Sequence, residues 1–226
     1  AETLYHFVWD EVCDWYLELA KARLYGEDPE ARRTAQLVLR KLLLDIIHLL
    51  HPFMPFITEE IGSRLGQEVS RGAYPRPDES LRDPEAEEVL AAFQELVREV
   101  RAMRTELGLD PARELELVVT GGTRAQVVEE LGQGLARLAR VRPSFDPKED
   151  GRKNVARGLA GDISFSLRLP EETDWGVLRG RLERNLKKVE EELASLEERL
   201  ASSEFREKAP EEVLARFEAQ AQELRA

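Results

Sequence analysis

Arg98, Arg101 and Arg104 recur every third residue. On a helix that spacing holds three guanidinium groups within an arc of about 120°. Arg137, Arg140, Arg142, Lys148, Arg152, Lys153 and Arg157 face only three acids between positions 137 and 157. Arg179, Arg181, Arg184, Lys187 and Lys188 enclose a single acid, Glu183. Such cations can hold phosphate groups and so position a polyanion without reading its sequence. Each cluster could equally be a solvated face. Three of them on a chain of net charge −12 favour a polyanion gripped at separate points. The sum itself excludes a nucleic-acid binder held by bulk charge, which would be basic. By segment, residues 1–84 carry 15 acids and 10 bases, 85–110 carry 7 and 3, 111–170 carry 8 and 10, and 171–226 carry 15 and 10. Only the third is positive.

No catalytic constellation stands beside these cations. His48 and His51 share a helix face, but no third ligand lies at metal-site spacing, so no metal is expected. No Gly-rich run has the spacing of a phosphate cradle, and no Gly-x-Ser-x-Gly occurs. Glu59 and Glu60 open a helix, where negative charge is favourable. The single cysteine, Cys13, can form neither an intrachain disulfide nor a four-cysteine zinc site, which points to the cytosol. No run of about 18 apolar residues is present. The opening "AETLYHFVWDEVCDW" lacks Met and is already in helical register, as expected of the interior of a longer protein. Arg outnumbers Lys 26 to 7, a weak pointer to a GC-rich or thermophilic source.

The elements that must position the cations are mostly helices; charged residues make up 35% of the chain, well above the usual quarter. An apolar stripe (Leu4, Phe7, Val8, Cys13, Trp15, Tyr16, Leu19) predicts a helix over 3–25. "GEDPE" at 26–30 stops it and starts a second over 30–50, with Asp28 as cap and Pro29 in the first turn. "HPFMPF" follows. A residue before proline leaves the α region, so His51 closes that helix and Pro55 opens the next, about 56–65. Pro52 and Pro55 then make a rigid elbow, with Phe53, Met54 and Phe56 expected to plug the corner. Residues 66–84 are a long connection rich in Gly and Pro, and a fourth helix spans about 85–107. Together these read as an antiparallel bundle over 1–108. "LELVV" and "ISFSLRL" alternate as strands about a helix at 124–140, with 143–161 a polar loop, giving a small α+β unit over 109–170. In 171–226, Leu182, Leu186, Val189, Leu193, Leu196 and Leu200 follow a 4, 3, 4, 3, 4 seam. A second helix after Pro210 matches it, predicting an antiparallel coiled-coil hairpin. The fold class is mainly α.

Two motifs in this order resemble a known family. "FVWDEVCDWYLELAK" (7–21) followed by "LLHPFMPFITEEI" (49–61) resembles the C-terminal portion of valyl-tRNA synthetases. The tail "RLERNLKKVEEELASLEERLASSEFREKAPEEVLARFEAQ" is similar to their coiled-coil arm, including Phe205, Lys208, Ala209, Pro210 and Val213 of the link. The isoleucyl sisters often end in a Cys-rich zinc module, which Cys13 alone cannot make. Where the family usually carries Trp after Glu-Glu-Ile, this chain has Gly62, so some neighbour must fill the space or the helix must end early.

The resemblance implies a division of labour. ATP- and Mg-dependent activation of valine belongs to a catalytic half whose His-Ile-Gly-His and Lys-Met-Ser-Lys-Ser type signatures are not among these residues. The editing domain is absent too. This chain would be the tRNA-gripping end, with valine tRNA and the catalytic and editing domains of the same polypeptide as partners, in the cytoplasm. Single-stranded anticodon bases are read by stacking and edge hydrogen bonds. The anticodon-side candidates are Arg64, Arg71, Tyr74, Arg98, Arg101 and Arg104. For the tRNA backbone and elbow they are Arg140, Arg152, Lys153, Arg179, Arg181, Arg184, Lys187 and Lys188. Pro52, Phe53, Pro55 and Phe56 are the structural elbow. Two other readings stay open at this point: a non-catalytic helical module that binds another protein, and the equivalent region of an isoleucyl enzyme.

Overall fold

A computed structural model describes residues 2–146, 154–202, 205 and 210–225. The chain falls into two compact units. One is Ala1–Arg101 with Glu114–Arg168; the other is Ala102–Arg113 with Leu169–Ala226. The α+β segment therefore clusters with the helical bundle.

In the first unit a long helix opens the chain as α1 (Glu2–His6), a π-helical stretch (Phe7–Tyr16) and α2 (Leu17–Leu24). The sequence predicts one regular helix here. Instead the Leu17 N–H reaches the Val12 carbonyl, five residues back. Such bonding turns each residue through a smaller angle, so a stripe laid out for 3.6 residues per turn does not stay on one face. Val12 is buried and Trp15 packs edge-on against Phe93 (6.3 Å, 77°), while Trp9 faces out and stacks on Tyr5.

α3 (Pro29–Leu50) starts as its sequence dictates: Asp28 accepts from the Glu30 N–H (2.9 Å) and the Ala31 N–H (3.3 Å), and proline sits in the first turn. It stops at His51, and α4 (Pro55–Arg64) begins at Pro55. The elbow is as tight as the prolines require, with Phe53 and Met54 N–H both donating to the Leu50 carbonyl at 2.9 Å. Its apolar side chains do not plug the corner, however. Phe53 is 60% and Phe56 91% exposed. The corner is closed instead by Thr58, 1% exposed, whose hydroxyl donates to the Met54 carbonyl (2.8 Å) and accepts from His51 Nδ1–H (2.8 Å).

Gly62 is filled, not lost. The helix continues through it to Arg64, and Val69 of the following 3₁₀ turn (Val69–Arg71) occupies the space where a Cβ would go. α5 (Pro84–Glu106) supplies the main core of the first unit: Ala92, Phe93, Leu96, Val97 and Val100 are each no more than 3% exposed.

Among the described residues the sheet has four strands, β1 (Leu115–Gly121), β2 (Val141–Ser144), β3 (Val155–Ala160) and β4 (Ile163–Arg168), in the order β2-β1-β4-β3. β1 and β2 are parallel, linked through α6 (Ala125–Glu130) and α7 (Gly132–Ala139); β1–β4 and β3–β4 are antiparallel. Ile163, Phe165 and Leu167 are buried as the alternation predicts. β2 and β3 correct the expectation of a loop at 143–161. They are short edge strands, and β3 is held through a two-residue turn at Gly161 (φ +56) and Asp162, a Gly-Asp hairpin signal that the polar composition hides. The expected single helix at 124–140 is broken at Leu131.

In the second unit, α8 (Trp175–Ala201) is capped by Asp174, which accepts from Gly176 N–H (2.9 Å) and Val177 N–H (3.1 Å). α9 (Glu211–Arg225) returns along it; the Phe205 and Phe217 rings meet at 5.5 Å, and Leu196 and Ala221 are buried. The seam is covered only in part. α9 has 15 residues against 27, so Leu182 (39%) and Leu186 (59%) lie open.

Gly134 is where α7 approaches the bundle: an added Cβ would strike Leu19 Cδ2 and lie 3.4 Å from Phe93. Gly134→Val is expected to destabilise the chain by about 1–3 kcal/mol by overpacking, read as a lowered denaturant midpoint. An unchanged midpoint would refute close packing of α7 on the bundle.

Candidate nucleic-acid interface

The anticodon-side candidates divide by what holds them. Arg64, at the last turn of α4, pairs with Glu60 (2.8 Å), and Arg71 pairs with Glu68 (3.0 Å); the four side chains are 57–82% exposed. Tyr74 is 59% exposed beside Pro75. An open cleft of about 550 Å³ lies next to them, lined by His51, Phe56, Glu59, Glu60 and Ser70 among others. Glu59 is fixed there by accepting from the Ser70 N–H at 2.9 Å.

The three arginines of α5 are not alike. Arg98 stays on the surface, its guanidinium 5.7 Å above the Trp15 ring and donating to Gln94 Oε1 (3.3 Å). Arg101 gives two donors to the Leu138 carbonyl (2.9 and 2.7 Å), tying α5 to the end of α7. Arg104 is 5% exposed and donates to the carbonyls of Asp110 (2.9 Å), Pro111 (3.4 Å) and Arg113 (2.5 Å). Arg104 is thus removed from the candidate surface. A buried guanidinium must spend its donors internally, and the loop after α5 offers three carbonyls for that purpose.

In the middle cluster, Arg140 is exposed and adopts the left-handed conformation (φ +52) that ends α7. Arg142 pairs with Glu114 at 3.0 Å. Arg152, Lys153 and Lys148 lie outside the described residues.

On the arm, Arg179 pairs with Glu183 (2.8 Å) and Lys187 approaches Glu191 (3.7 Å), both one turn away and well exposed. Arg184 and Lys188 are exposed. Arg181 instead reaches back and donates to the Thr105 carbonyl at 3.2 Å. Nearby, the Arg113 guanidinium bonds to Glu172 and holds that carboxyl below the usual glutamate range. Its contribution is present at neutral pH and is lost only as pH falls through the lowered value.

Among the described residues no three or more His, Cys, Asp or Glu gather to hold a metal ion, and no helix is long and apolar enough to cross a membrane. What the geometry offers is a set of exposed cations, of which Arg64, Arg71, Arg142, Arg179 and Lys187 pair with surface carboxylates. Such pairs are worth about 0–1 kcal/mol, so exchanging a carboxylate for a phosphate costs little.

Comparison with known proteins agrees with that chemistry. Residues 1–119 match the family model described as the anticodon-binding domain of tRNA ligase. The chain belongs to this anticodon-binding family. Residues 174–226 match a second model, the valyl tRNA synthetase tRNA binding arm. Similar proteins include the valine–tRNA ligase of Carboxydothermus hydrogenoformans, 37% identical over 219 residues that cover 95% of this chain and 25% of that protein. Those of Gloeobacter violaceus (35% over 236 residues, 100% and 26%) and Listeria monocytogenes (34% over 223 residues, 95% and 25%) follow the same pattern. The chain spans about a quarter of the length of these curated relatives.

Within the anticodon-binding segment, two residues that shape the surface were missed by sequence reasoning. Trp15, read as core, forms the seat for Arg98; the cation at position 98 gave no hint of it, because the two are 83 residues apart. Thr58 is inconspicuous between Ile57 and Glu59, yet a threonine four residues past Met54, the residue that precedes α4, is placed to back-bond. Thr58→Val keeps the shape and removes the hydroxyl. It should lower stability by about 1–3 kcal/mol by stranding polar partners, measured by urea unfolding; a wild-type value would show that the elbow does not depend on this bond.

Proposed function

We propose that this chain is the tRNA-gripping part of a valine–tRNA ligase: the bundle meets the anticodon stem-loop and the coiled-coil arm meets the tRNA elbow. The observation that carries the reading is the order of the two matched segments, an anticodon-binding domain over 1–119 and a valyl-type tRNA-binding arm over 174–226, in one chain. Ligation of valine with ATP and Mg²⁺ is assigned to the rest of such an enzyme, and the cytoplasm is its setting. The valyl arm also favours this reading over an isoleucyl relative.

The proposed contacts follow from exposure and cheap pairing. On the anticodon side they are Arg64, Arg71, Tyr74 and Arg98, with Arg101, already bonded to the Leu138 carbonyl, beside them. Tyr74 offers a ring on which an unstacked base can lie. On the arm, Arg179, Arg184, Lys187 and Lys188 contact the phosphate backbone. Arg140 and, outside the described residues, Arg152 and Lys153 belong to the same proposal. With a net charge of −12 the long-range field repels RNA, so binding depends on these local contacts and on salt.

The test is binding of the chain to valine tRNA, and to the same tRNA with an altered anticodon, across a salt series. Salt-sensitive binding that weakens with the altered anticodon is expected. Removing Lys188 should lower the slope of log K against log salt by about 0.7–0.9. Binding to neither RNA, with capture of a protein ligand instead, would favour the interaction-module reading.

A further inference from the structure

The end of α5 and the root of the arm are joined by a device that the phosphate-contact reading does not need. α5 closes in a Schellman turn: Gly108 N–H donates to the Thr105 carbonyl (3.0 Å) and Leu109 N–H to the Arg104 carbonyl (2.9 Å). The turn needs a left-handed residue, and Gly108 supplies it at φ +66. Arg181 of α8 lies directly over this glycine. A Cβ added to Gly108 would fall on Arg181 Nη1, so the absence of a side chain is what seats the guanidinium. From that seat Nη2 donates to the Thr105 carbonyl at 3.2 Å, the same oxygen that closes the turn. Below it, the buried Arg104 gathers the carbonyls of the 110–113 loop, and Arg113 of that loop bonds to Glu172 just ahead of α8. Leu178, one turn before Arg181, is 7% exposed. The root of α8 is thus held at several points against one helix end.

We propose that Arg181 is a positioning residue, which through the Gly108 seat sets the angle at which the arm leaves the end of α5 and so aims the arm at its RNA. The aiming step rests on the tRNA reading above; the angle itself does not. A guanidinium whose role was to touch phosphate would need neither a bare glycine beneath it nor a backbone carbonyl to hold it in place. A preorganised arm also avoids the cost of ordering on binding.

The test uses the full 226-residue chain with Cys13→Ser and spin labels at Ala102→Cys and Ser195→Cys, read by pulsed dipolar spectroscopy. The parent should give one narrow distance distribution. Arg181→Lys keeps the charge but loses the planar fork, and Gly108→Ala displaces the guanidinium without altering any charge; both should broaden the distribution. Gly66→Ala is the control, because Gly66 has a matching φ of +73 and nothing within 4 Å of an added Cβ. It should leave the distribution narrow. If Arg181→Lys and Gly108→Ala both keep the parent distribution, the proposal is overturned.

Binding of valine tRNA then separates aiming from contact. Positioning predicts that Arg181→Lys and Gly108→Ala both weaken binding, by roughly three- to tenfold for one re-ordered element, with the salt slope unchanged. A plain phosphate contact predicts instead near-parental binding by both, and a slope lowered by about 0.7–0.9 in Arg181→Ala; that result would overturn the proposal. If the parent itself binds no tRNA, the functional reading fails, and the spectroscopic distances alone decide the role of Arg181.

Discussion

The burial of one face of α5 is the constraint on which the rest depends. Phe93, Leu96, Val97 and Val100 are all inaccessible to solvent, and a helix so anchored cannot rotate without exposing four large side chains. Each buried group of that size is worth about 1.5–3 kcal/mol. Several parts of the candidate surface in the first unit are then indexed to this helix. Trp15 packs on Phe93 and carries Arg98; Gly134 of α7 packs beside Phe93 and Leu19; Arg101 fixes the end of α7; Arg104 fixes the loop from which the second unit continues. A period of three along α5 therefore produced three different outcomes, because the helix face turns from solvent to interior as neighbours change along its length.

The elbow illustrates a related point about apolar exposure. Its prolines set the backbone, and Thr58 with His51 closes it, so Phe53 and Phe56 are left on the surface. Large exposed aromatics on a rigid corner are costly in water, and contiguous apolar patches usually meet something.

How much of this was legible beforehand depended on the range of the interactions. Local rules served well: the Asp28 cap, Pro29 and Pro55 at helix starts, the halt at His51, and the alternation of Ile163, Phe165 and Leu167 all act within a few residues. Gly62 gave a correct warning that a space needed filling, though not that Val69 would fill it. Long-range pairing was not legible. β2 and β3 are stabilised by partners on β1 and β4 rather than by their own composition, and nothing in "VARGLA" outweighs Gly158 and its two alanines until β4 lies beside it. The widened turns at 7–16 were not legible either; they accompany the packing of Trp15 on Phe93 of α5, a partner far away in the sequence. For the candidate interface, residue type identified the cations but not their partners. Burial of Arg104 and the seat of Arg181 depend on carbonyls whose positions only the fold fixes.

The central claim is that one chain grips a tRNA at two separate places, the anticodon stem-loop and the elbow. Hydroxyl-radical footprinting of valine tRNA with and without the chain tests it most directly. The account predicts two protected patches, one on the anticodon stem-loop from the bundle and one at the elbow from the arm, with the second lost when residues 171–226 are deleted and the first kept. Protection confined to the acceptor stem, or spread evenly over the backbone, would contradict it.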